Sequence, residues 1–84
     1  MYEDYNLVFE YPNVSWVIKW LKKFNMNWAV ETFKKDQICA WMLMNITLYD
    51  LDEMKVGTRI QKRKMLRIIN KCNKFGWYKI FKLI

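Results

Sequence analysis

Thr47-Leu48-Tyr49-Asp50-Leu51-Asp52-Glu53-Met54-Lys55-Val56-Gly57-Thr58-Arg59-Ile60-Gln61 holds two helix starts in one short stretch. In each, a threonine hydroxyl can accept from the backbone N–H three residues on. The side chain there, Asp50 or Gln61, can reach back to the threonine N–H. The first start predicts a short helix over 48–54 with Leu48, Leu51 and Met54 facing inward. Gly57 marks the turn between the two starts. The second start predicts a longer helix running to about Lys74, with Met65, Leu66, Ile68, Ile69 and Cys72 as its apolar stripe and Gly76 as its stop.

Towards the N-terminus the same logic yields three more short helices. Asn13 can cap a helix whose apolar face is Val17, Trp20, Leu21 and Phe24, ending near Asn25, with Lys19, Lys22 and Lys23 on other faces. Asn27 can cap a second helix carrying Trp28, Val30 and Phe33. Lys34 and Lys35 sit in its last turn, where positive charge suits the helix dipole. Asp36 can cap a third, with Ile38, Met42 and Leu43 inward. Outside this frame lie an aromatic, acidic arm (1–12) and an apolar, lysine-bearing tail (76–84). The tail reads equally as helical or extended. The expected fold is therefore all-α: four short helices, then a longer one, within a single domain over 13–75.

Composition agrees. The 84 residues are 54% apolar, too apolar for a disordered chain, and two Gly and one Pro are few for an all-β fold of this length. No stretch approaches the roughly 18 to 20 apolar residues of a membrane span. The acidic start, with no apolar run after it, predicts no signal peptide and hence a cytoplasmic or nuclear location. Cys39 and Cys72 have neither metal nor redox spacing and read as reduced apolar side chains. There is no histidine, Ser15 is the only serine, and no Gly-rich phosphate loop occurs. An enzyme and a cofactor are therefore not expected. Asp50 and Asp52, the one pair that could suggest acid/base work, read as a solvated acidic face.

Charge is divided along the chain. Residues 1–54 carry a net −3, whereas residues 55–84 carry ten bases and no acid, bringing the total to +7. Such asymmetry points to an acidic partner.

The ordered motifs resemble the sterile alpha motif (SAM) family. Val17-Ile18-Lys19-Trp20-Leu21 is similar to the family's opening V-x-x-W-L, and Trp28 and Phe33 fall at its next aromatic positions. Ile38 to Ile46 resembles I-x-G-x-x-L-L-x-L, and Thr47 to Met54 resembles T-x-x-D-L-x-x-L. Lys55 to Leu66 resembles the closing G-V-x-x-x-G-x-R-x-K-I-L. The likeness covers about residues 13–73. Lys55 and Ile60 stand where the family has glycines, and Pro12 lies near the place of a Trp that usually precedes the first helix. Gly57 is a candidate to take over the turn role of the first of those glycines.

The resemblance implies a non-catalytic protein-interaction module, of the kind used in scaffolds and signalling, with two surfaces. The mid-chain surface here carries Asp36, Asp50, Asp52 and Glu53 and no base. The surface at the start of the last helix carries Lys55, Arg59, Ile60, Lys62 and Arg63 and no acid. Opposite signs predict head-to-tail association with another copy or another SAM domain. The alternative is RNA stem-loop binding, since Lys62-Arg63-Lys64 matches the bases of a motif some SAM proteins use, though not its Gly-Ala pair. Membrane contact by the tail is not expected; opposite charge favours its packing against the arm bearing Tyr2, Tyr5, Phe9 and Tyr11. Trp20, Trp28, Met42 and Met65 read as core, and Trp16 and Trp41 as candidate interface anchors.

Overall fold

Asn13 starts the first helix as its spacing suggests: the Trp16 N–H donates to Asn13 Oδ1 at 3.3 Å. The structure, a computed structural model, describes residues 13–83 apart from the side chains of residues 81 and 83. Six α-helices cover those residues, with no strand among them. They are α1 (Val14–Lys23), α2 (Val30–Lys35, entered through a 3-10 turn, Asn27–Ala29), α3 (Ala40–Met44), α4 (Leu48–Met54), α5 (Arg59–Phe75) and α6 (Trp77–Leu83). Both capping boxes form, at Thr47/Asp50 and Thr58/Gln61.

Three of the helices end in the same way. Asn25, Gln37 and Lys55 adopt left-handed backbone, at φ 60°, 55° and 54°. In each case the next residue donates its N–H five residues back: Met26 to the Leu21 carbonyl, Ile38 to Phe33 and Val56 to Leu51. The left-handed residue donates three back, to Lys22, Lys34 and Asp52 respectively. This is the Schellman stop, in which the residue after the turn packs onto the helix it leaves. Met26, Ile38 and Val56 are accordingly all buried.

That device accounts for several departures from the expected frame. Asn27 does not cap with its side chain, because the chain leaves the stop at Met26 directly into the 3-10 turn. Asp36 lies in the α2 stop rather than capping α3. Burial of Ile38 holds the chain extended, so α3 starts only at Ala40, after Cys39 and without a side-chain cap. In the five-residue α3, Ala40 and Leu43 face inward, which turns Met42 outward to 43% exposure. Leu48 stands one turn towards the open end of the face carrying Leu51 and is 42% exposed. Lys55 takes the left-handed turn itself; Gly57, at φ 75°, makes a separate one.

The core is fully closed around Val17, Trp20, Leu21, Phe33, Leu43, Leu51 and Met65. Burying each of the larger of these side chains is worth about 1.5–3 kcal/mol. From α5, Met65, Ile69 and Cys72 reach the core, while Leu66 and Ile68 are half-buried at its edge. Trp28 is likewise half-buried. The tail is helical. Gly76, at φ 107°, ends α5 and opens α6, which sends Trp77 and Ile80 inward. The Trp77 ring meets Trp20 at 5.8 Å and the edge of Trp16 at 6.2 Å, and its Nε1–H donates to Asn73 Oδ1. The expected packing of the tail on the arm falls on residues 1–12, outside the described residues.

Candidate interaction surfaces

Ala40 and Leu43 of α3 face the core, so Trp41 and Met42 must face out. They border a groove of about 580 Å³ with Ile38, Asn45, Ile46 and Met54. Trp41 is 62% exposed, unusual for the largest apolar side chain. Asp36, Asp50 and Glu53 complete the groove, which has no base in its lining. Three of the four acids assigned to the mid-chain surface therefore converge beside two exposed apolar anchors.

The acids differ in what is left for a partner. Asp50 Oδ2 accepts from the Thr47 N–H and from Thr47 Oγ1, both at 2.9 Å, so part of this carboxylate is committed to the helix start. Asp36 and Glu53 are exposed and form no ion pair within the described chain. Asp52 lies outside the groove. Its Oδ1 accepts from Lys62 Nζ at 2.7 Å, joining α4 to α5. Assigned to opposite surfaces on the basis of charge, Asp52 and Lys62 instead neutralise each other.

The second surface is the first turns of α5 and the turn before it. Lys55, Arg59, Arg63 and Lys64 are exposed, and Ile60 is 80% exposed among them. No acid lies in the first turn of α5. Bases at a helix N-terminus oppose the macrodipole, at about 0.3–1 kcal/mol each. Local stability thus does not explain their position.

A further groove, of about 510 Å³, lies where α1, α5 and α6 meet. Phe24, Ile68, Cys72, Phe75 and Ile80 line it, with Lys71 and Lys74. Burial pushes the Cys72 thiol up from its ordinary pKa, and the neighbouring Trp20 indole offsets part of the rise. No three His, Cys, Asp or Glu side chains among the described residues converge as a metal site. No helix among them is long and apolar enough to cross a membrane.

Sequence reasoning placed the charges but missed the Met42 and Leu48 exposures and the α1–α5–α6 groove. Recognising the stop at Gln37-Ile38 would have moved the start of α3 and turned Met42 outward. No family model matches the chain, and no match emerges among curated proteins or solved structures.

Proposed function

We propose that this chain is a non-catalytic protein-interaction module of SAM type that associates head to tail with another copy of itself. The observation that carries this reading is that each surface frames an exposed apolar side chain with charge of one sign. Trp41 and Met42 lie among Asp36, Asp50 and Glu53, while Ile60 lies among Lys55, Arg59 and Arg63. Apolar anchors within a charged rim are the usual anatomy of an interface: the centre supplies affinity and the rim steers approach. Docking of Ile60 in the acidic groove of the next copy would leave a free surface of each kind at the two ends. Such contacts propagate rather than close. The resemblance of residues 13–73 to the SAM family adds support.

The test is mass in solution by light scattering over a concentration series at low and high salt. Mass should climb with concentration and fall with salt. The Asp36→Lys/Glu53→Lys and Ile60→Asp variants should each be monomeric alone, and an equal mixture should give a dimer and nothing larger, because one intact surface of each kind remains. Glu53 and Asp36 are preferred to Asp50, whose replacement would also break the α4 cap. A monomer in every condition, or a mixture that stays monomeric, would refute self-association.

A further inference from the structure

The groove where α1, α5 and α6 meet shares no lining residue with the acidic groove of the proposed association. Its floor is apolar. Phe24 and Ile68 are half-buried there, and Cys72 and Ile80 are buried. Burial raises the pKa of the Cys72 thiol, which keeps it uncharged at neutral pH. Phe75 forms a wall and is 60% exposed. The only charged side chains in the lining are Lys71 and Lys74, three residues apart on α5 and so neighbours on its surface. Lys79 Nζ, 5.5 Å from the centre of the Phe75 ring, adds a third cation at the edge. None of the three helices contains an acid, and neither Lys71 nor Lys74 forms an ion pair among the described residues.

The size of the groove limits its occupant. About 510 Å³ falls within the range of small-molecule sites, about 300–1,000 Å³. Seven residues line it, whereas a stable protein interface takes about 20–30 a side. An apolar floor whose only charges are two adjacent cations selects a ligand with an apolar body and an anionic head. We propose that the groove binds a single-chain anionic amphiphile of the fatty-acid class, with its chain along Ile68, Phe75 and Ile80 and its carboxylate against Lys71 and Lys74. Two other occupants fit less well. A second copy of the same face would set lysine against lysine. An anionic bilayer has the right chemistry, but a flat surface meets the rim of a recess before its floor.

The test titrates the isotope-labelled full chain with octanoate, decanoate and dodecanoate below their micelle concentrations, followed by amide NMR. Binding should saturate at one ligand per chain, with shifts centred on Phe24, Ile68, Phe75 and Ile80. Each methylene that reaches the floor should tighten binding by up to about fourfold, so affinity should rise along the series. Decyltrimethylammonium should bind at least about tenfold more weakly than decanoate, because its head meets lysine instead of pairing with it. Phe75, Lys71 and Lys74 are exposed, so their replacement spares the core. Phe75→Ala should weaken decanoate binding several-fold, and Lys71→Glu/Lys74→Glu by about tenfold. Ile60→Asp should bind as the wild type does, whether or not the chain self-associates. The proposal would be overturned by no saturable binding, by equal binding of the cationic amphiphile, or by unchanged affinity in the groove variants. Capture by vesicles of phosphatidylcholine and phosphatidylserine without binding of the free carboxylates would also overturn it and assign this face to a membrane.

Discussion

Gly57→Ala should be among the most damaging single-methyl additions in this chain. Gly57 has φ 75°, which costs a non-glycine residue about 1–2 kcal/mol. A stiffer unfolded chain returns about 0.4–1 kcal/mol of that. The greater cost is steric. A Cβ at this position would lie 2.5 Å from Trp28 Cζ3 and 2.8 Å from Cε3, where ordinary carbon contacts are about 3.5–4.0 Å. A rigid ring must therefore retreat by about an ångström from a site packed against the core, and overpacking of that kind costs about 1–3 kcal/mol. The net loss is about 2–4 kcal/mol. With a small-domain urea slope of about 1–1.5 kcal/mol/M, the midpoint should fall by about 2 M. Trp28→Leu removes the clash. The cost of Gly57→Ala measured in that background by urea denaturation should drop to the backbone cost alone, about 1 kcal/mol. Costs of Gly57→Ala and Trp28→Leu that simply add would refute the steric argument.

Other predictions address separate parts of the fold. Thr47→Ala removes the two hydroxyl contacts with Asp50, and Thr58→Ala the one hydroxyl contact accepting from the Gln61 N–H; each should cost about 1 kcal/mol in urea denaturation, and no change would mean that these helix ends are held by packing alone. Gln37→Gly and Lys55→Gly relieve left-handed backbone and should raise stability by up to about 1 kcal/mol, whereas a loss would show that the side chains matter more than the turn. The Asp52–Lys62 pair is exposed on the Asp52 side, so Asp52→Ala should change stability by under about 1 kcal/mol, checked in a double-mutant cycle with Lys62→Ala. Cys72 gives a pH dependence. Its folded pKa is raised, so its contribution is complete below the ordinary thiol pKa and is lost as pH rises through the raised value. The difference in stability between the wild type and Cys72→Ala should therefore shrink in alkali; a constant difference would contradict burial of the thiol.

The helix starts at Thr47 and Thr58 were legible because their signal is local and chemically specific. Thr47/Asp50 and Thr58/Gln61 each place a hydroxyl and an acceptor three residues apart, and both form as read. Helix stops were legible in part: Gly76 ends α5 and α1 ends just before Asn25, both as read, but the device that makes three of the stops was not. Those three use Asn25, Gln37 and Lys55 in a conformation for which glycine is the familiar marker. The left-handed turn at Gln37 is held by its neighbour Ile38, which is buried in a core assembled from distant helices. Propensity cannot report such a contact. The Asp36 cap failed for that reason, and the error moved α3 by enough to reverse Met42. Charge was legible as an inventory but not as a set of pairs: nothing in the spacing of Asp52 and Lys62 indicates that α4 and α5 bring them to 2.7 Å.

The stop at Lys55, the turn at Gly57 and the cap at Thr58 together fix the angle at which α5 leaves α4. The groove acids Asp50 and Glu53 lie on α4, and Arg59, Ile60 and Arg63 lie on the first turns of α5. The relative orientation of the two candidate surfaces thus depends on the four residues 55–58 and on the Asp52–Lys62 bridge across them. In head-to-tail association that orientation repeats in every copy and so sets the path of the assembly. The turn has left-handed φ at both Lys55 and Gly57 and an indole close against the Gly57 backbone, so few side chains fit it without shifting its neighbours. Loosening it while keeping the Lys55 side chain would leave each surface intact while degrading their mutual geometry. Pairwise contact would then survive better than long chains. A variant softened only at this turn should separate first-step affinity from polymer length, which changes to the surfaces themselves cannot do.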